Sequence, residues 1–157
     1  MSRLLKIVVF FAACSVVAFL ILRTLVEPNS PMPDNLGVVN GRLAPCPESP
    51  NCVSTQATTE LHGIEPISFV GDREAAHQKI LAILEADNSF TIISQTPTYI
   101  HAEARSNLWR FIDDVEFYFD EAASVIHFRS ASRLGYGDMG ANRQRMEAIR
   151  AEFAAAH

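Results

Sequence analysis

The sequence predicts an α+β fold: a two-layer sandwich whose antiparallel sheet of four or five strands carries two helices on one face, preceded by one transmembrane helix. Three observations predict it. An unbroken apolar run opens the chain, four strand-like runs joined by short turns fill residues 90–130, and a helical stripe lies on either side of them. At 157 residues the chain has the length of a single domain.

From Ile7 to Leu22 the chain carries no charge, and Leu4, Leu5, Leu25 and Val26 extend the apolar character past Lys6 and Arg23. That run spans a bilayer if the two basic side chains snorkel to the interfaces. A cleaved signal peptide has the same basic start and apolar middle, but no small-x-small site follows here; Arg23, Thr24, Leu25, Val26 and Glu27 stand in its place. A lipid-modified Cys14 fits less well, since membrane-like sequence rather than a polar tether follows it. Residues 1–26 are therefore expected to be an uncleaved, single-pass anchor. Arg3, Lys6 and the α-amino group outweigh Arg23, which predicts a cytoplasmic N-terminus and a C-terminal domain in the periplasm or outside the cell.

Prolines at 28, 31, 33, 45, 47 and 50 exclude a helix or a central strand. Residues 27–42 read as a proline-rich linker and 43–157 as the compact domain. Cys46 and Cys52 form a C-x5-C pair that would close a small disulfide ring in an oxidising compartment; two free thiols, or a metal pair with His62, are the alternatives.

A short first strand is expected over 62–69, held to an edge by Pro66. Asp72 should cap a helix running to about Ala86, with Ala76, Ile80, Ile83 and Leu84 on one face. Phe90–Ser94, Thr98–Ala104, Trp109–Phe119 and Ser124–Ser130 read as strands, the last two joined as a hairpin. Asp138 or Asn142 should cap a final helix striped by Met146, Ile149 and Phe153.

Strand parity then sorts the polar residues. Phe111, Val115, Phe117 and Phe119 should face the helices, which places Asp113 among apolar neighbours and calls for a cation such as Arg143 or Arg133. Arg110, Asp114, Glu116 and Tyr118, with Tyr99, His101, Glu103, Arg105, His127, Arg129 and Arg133, should share the other face, open to solvent or to a partner. Such a face is either a cross-strand ion-pair network or a polar binding surface.

Beyond residue 26, ten Lys+Arg stand against eighteen Asp+Glu, and so acidic a domain argues against nucleic acid as a partner. Ser49, Cys52 and Ser54 lie near His62 in sequence, yet no nucleophile-elbow, HExxH or phosphate-cradling glycine motif is present, and no cofactor or metal is expected.

The segments Leu43-Ala44-Pro45-Cys46-Pro47-Glu48-Ser49-Pro50-Asn51-Cys52-Val53-Ser54, Arg110-Phe111-Ile112-Asp113-Asp114-Val115-Glu116-Phe117 and Arg129-Ser130-Ala131-Ser132-Arg133-Leu134-Gly135, with Asp138, Gly140, Asn142 and Arg143, together resemble the family of unknown function DUF1499. The likeness covers nearly all of residues 43–150. It implies a bacterial or plastid protein with an N-terminal export or membrane segment, and it assigns no catalytic residue. It does nominate three signatures, Cys46, Cys52 and Ser54, then Arg110, Asp113, Asp114 and Glu116, then Arg129, Arg133, Asp138, Asn142 and Arg143, as a site if they converge and as fold staples if they lie apart; with His62, which lies near the first in sequence, Ser54 and the residues of the other two are the expected ligand-binding positions. Three functions follow as expectations: an envelope binding or accessory module for a small or lipid-like ligand; a hydrolase using Cys52 or Ser54 with His62; or a structural protein. No protein partner is nominated.

Overall fold

The computed structural model describes residues 2–26 and 28–155; the first residue of the expected anchor, the first of the expected linker and the last two of the expected domain lie outside that range. Helix α1 (Arg3–Val26) is long and apolar enough to cross a membrane, and its side chains are exposed almost throughout. Then come β1 (Cys52–Ser54), β2 (Ile67–Ser68), α2 (Arg73–Ala86), β3 (Phe90–Thr96), β4 (Tyr99–Arg105), β5 (Ile112–Asp120), β6 (Val125–Ser132) and α3 (Ala141–Ala155).

The sheet is antiparallel in the order β1-β6-β5-β4-β3, with β2 pairing further along the outer edge of β6. Tight β3–β4 and β5–β6 connections set the hairpins, as the alternating runs predict. One face carries Ile100, Ala102, Val115, Phe117, Phe119, Ile126 and Phe128, and α2 and α3 close over it with Ile80, Leu84, Met146, Ile149 and Phe153. Asp72 caps α2 through its Oδ1, which accepts from the Ala75 N–H at 2.6 Å. Asp138 does the same for α3, its two carboxylate oxygens taking the Gly140 and Asn142 N–H groups.

Four expectations need correction. The first strand shrinks to β2, while Cys52–Ser54, inside the proline-rich loop, forms an edge strand instead. The strand expected to start at Trp109 starts at Ile112. Ser106 closes residues 106–111 into a loop by accepting from Arg110 N and Phe111 N and donating to Phe111 O; Arg110 turns through φ 62. Phe111 and Arg110 therefore leave the sheet, whatever their strand propensity.

The third correction concerns the polar face, which is not open. His101, Glu103, Asp114, Glu116 and Arg129 are all buried. Ser30 O accepts from Arg133, and Gly37 N–H donates to Glu116 Oε1 at 2.8 Å, so the expected linker lies across this face as a strap. Prolines forbid regular structure, not packing. Gly37 adopts φ 104, in the left-handed region, with nothing within 4 Å of where a Cβ would stand. Backbone conformation rather than space favours glycine there.

The fourth is the partner of Asp113. The residue does face the helices, but Arg145 binds it, Nη2 to Oδ2 at 2.6 Å, and neither Arg143 nor Arg133 does.

Candidate functional site

The pairing register places Ser54, Arg129, Glu116 and His101 in one row across the strap-covered face. Glu116, fully buried, accepts from Arg129 Nη1 (3.2 Å), Tyr99 Oη (2.8 Å) and the strap. In the neighbouring row Asp114 is held by His101 Nε2 (2.8 Å) and by Arg133 Nε and Nη2 (2.9 and 2.6 Å), and Arg133 Nη2 reaches on to Glu103 (2.7 Å). Arg105 closes the chain on the other oxygen of Glu103. Every carboxylate in this network is matched by a guanidinium, the condition under which buried charge is tolerated.

The pairing leaves its mark on acidity. Burial alone would raise the Asp114 pKa, but hydrogen bonds from Arg133 and His101 outweigh it and hold the group below the usual carboxylate range. Asp138 is likewise held low, burial being overcome by the backbone N–H groups of Asn142 and Gly140. Burial first, and then the charge of Glu116, push the Tyr99 hydroxyl far up, so it stays a donor.

A folded-state pKa below the unfolded value contributes stability that is complete above the unfolded value and is lost as pH falls through the folded one. Urea unfolding should therefore show a shallow loss between about pH 7 and pH 5, because burial holds the His127 pKa below the usual imidazole value, and a steep loss below about pH 4 from the two carboxylates. Equal stability at about pH 6 and pH 3 would contradict this account of Asp114 and Asp138.

Beside this network, over the β1 edge, lies a cavity of about 710 Å³, bounded by strap residues 34–46 and by the loop after β1. Its size is ordinary for a small-molecule site. Leu36, Val39, Leu43, Ala44 and Pro45 supply apolar wall; Arg42, Gln56, Thr58, Thr59 and His62 supply polar groups. The Cys46–Cys52 disulfide braces one wall. Gln56 staples the other, accepting from Leu43 N and donating to Gly41 O. A Cβ at Gly63 would meet Thr59 O at 2.9 Å, so only glycine lets the loop close behind His62.

His62 is the most informative group here. Its Nδ1 lies 2.9 Å from Cys52 O. A carbonyl only accepts, so Nδ1 carries the hydrogen, and in the neutral ring Nε2 is left as an acceptor. Nε2 has no hydrogen-bond partner among the described residues.

The nominated residues do not form one site. Ser54 and His62 line the cavity. Arg143 braces it from outside, binding Gly63 O and Leu61 O at 2.8 and 3.0 Å. Glu116 and Arg129 back it beneath the strap, with Asp114 and Arg133 one row further along. Asp113, Asp138 and Asn142 lie on the helix side: Asn142 accepts from Ser130 Oγ and Arg145 Nη1 on its oxygen and shares its two amide hydrogens among Asn51 O, Ser132 Oγ and Asp138. Arg110 sits in the β4–β5 loop. Arg42, Gln56, Thr58 and Thr59 also line the cavity, and no motif in the sequence marks them.

The expected hydrolase arrangement is not assembled. The Cys52 sulfur is in a disulfide, and Ser54 Oγ accepts from Gln56 N at 3.2 Å in a local turn rather than meeting His62. Among the described residues there is also no group of three His, Cys, Asp or Glu side chains that could hold a metal.

A family model described as a protein of unknown function, DUF1499, matches residues 42–153. No curated protein matches the chain significantly.

Proposed function

We propose, from the premise that this chain belongs to the DUF1499 family, that it is a membrane-anchored binding module of the cell envelope. On this reading α1 holds it in the bilayer with its N-terminus in the cytoplasm, and the exported domain takes a small, lipid-like molecule into the cavity beside β1. The observation that carries the reading is the combination in that cavity of an apolar wall with a few polar residues, His62 among them with its Nδ1 already committed to Cys52 O. Ligand sites are commonly built this way, apolar area supplying affinity and a few polar groups orientation. The disulfide and the paired charges behind the strap support it, since a pre-formed cavity avoids the cost of ordering on binding.

Thr58 is exposed at the cavity lining, so an indole there should fill the space without disturbing the core. Native mass spectrometry of the full chain, extracted from its own membranes in detergent, should reveal a co-purified small amphipathic adduct. Thr58→Trp should reduce its occupancy about tenfold, the equivalent of some 1.4 kcal/mol. A wild-type chain with no adduct, or a variant that keeps it undiminished, overturns the reading.

A further inference from the structure

The β4–β5 loop presents Leu108, Trp109 and Phe111 to the outside, 61%, 38% and 41% exposed, as a cluster on a tight turn pinned by Ser106. The β6–α3 connection leaves the sheet at the same end, since Arg133 N bonds Ile112 O, and it adds the exposed Tyr136 and Met139. Soluble surfaces rarely concentrate large apolar groups this way without a partner.

What lies next to the cluster identifies the partner. The Phe19 ring in α1 meets the Trp109 ring edge-on, with centroids 4.9 Å apart. Phe19, Arg23 and Val26 are partly covered and share one helix face, whereas their neighbours are exposed. Ser30, four positions after Val26, is buried and tied both to Val26 O and to Arg133. The end of α1 and the apolar sheet end are thus brought together.

We propose that this end of the domain docks on the lipid bilayer, the β4–β5 loop inserting Leu108, Trp109 and Phe111 into the interface around the exit of α1. The inference rests on the reading of α1 as a membrane anchor. Phe19 lies about 10 Å along the helix axis before Val26. A ring in contact with it, in a helix that ends at the membrane surface, therefore lies at interfacial depth, about 5–10 Å below the boundary. Tryptophan favours that depth for its apolar body and polar N–H, and the Arg110 guanidinium beside it can remain among the headgroups.

Trp109 is the chain's single tryptophan and reports directly. The full chain is reconstituted in phosphatidylcholine vesicles whose lipids carry bromine either near the headgroup or near the chain end. Trp109 emission should be blue-shifted, and quenched more by the shallow bromines than by the deep ones or by aqueous acrylamide. Leu108→Glu combined with Phe111→Glu, both at exposed positions, should abolish the bromolipid quenching and leave the circular dichroism unchanged. An alkaline carbonate wash separates the two readings. A chain retained in the vesicle pellet whose Trp109 is quenched by acrylamide and not by bromolipid overturns the docking and leaves the anchor standing; a chain released by carbonate overturns both. Emission that responds to dilution of the chain in the bilayer, and not to bromine, identifies a contact between copies and also overturns the docking.

Discussion

Arg133→Met should destabilise the domain by about 3–5 kcal/mol, the usual consequence of removing one partner from a buried ion pair. Methionine keeps most of the side-chain volume, so packing is not the cause. Asp114 would keep only His101, and Glu103 only Arg105, both carboxylates remaining out of water. For a domain of this size the melting temperature should fall by roughly 15 °C. Adding Asp114→Asn removes the stranded charge and should recover part of the loss; in a double-mutant cycle the two changes should therefore be strongly non-additive. Arg133 also holds Ser30 O, so amide exchange in the strap should rise beyond what global unfolding accounts for. A change below about 1 kcal/mol would place this residue with surface ion pairs and refute the account.

Asn142→Asp should cost about 3 kcal/mol, although it alters a single terminal group. Asn142 is fully buried, and its amide nitrogen donates to Asp138, Ser132 Oγ and Asn51 O. An oxygen at that place loses the donor and faces the Asp138 carboxylate at hydrogen-bond distance. Arg145, already within 2.7 Å of the Asn142 oxygen, offsets part of the added charge. The introduced carboxyl can donate again once protonated, so the gap from the wild type should narrow on acidification. Denaturant midpoints measured at two pH values would show this, and a gap independent of pH would mean that the damage lies elsewhere.

Local signals were legible where the chain's own neighbours decide the structure. Asp72 ahead of an apolar 3.6-residue stripe predicts α2 to within a residue, and parity alone turns Asp113 toward the helices. What failed depended on distant partners. Arg145 and not Arg143 reaches Asp113 because Arg145 lies one turn beyond Asn142 on the buried side of α3, and the rotation of that helix is set by packing. Trp109 and Phe111 have strand-forming side chains, but three hydrogen bonds to Ser106 take them out of the ladder. The strap differs from its expected role as a linker for another reason. Proline and glycine describe its backbone, while the need for it was written sixty or more residues later, in Asp114 and Glu116. The cavity it helps to form therefore leaves no local pattern in the sequence, although its lining includes Ser54 and His62, both expected site positions.

The join between α1 and the domain sets how far the molecule can reach. Asn29 and Ser30 fold their side chains back onto the last helical carbonyls, and Arg133 grips Ser30 at once, leaving no slack between stem and head. A head mounted so closely has no leash with which to search its surroundings. Releasing Ser30 from Arg133 would therefore loosen the head on its stem and the strap on the sheet together.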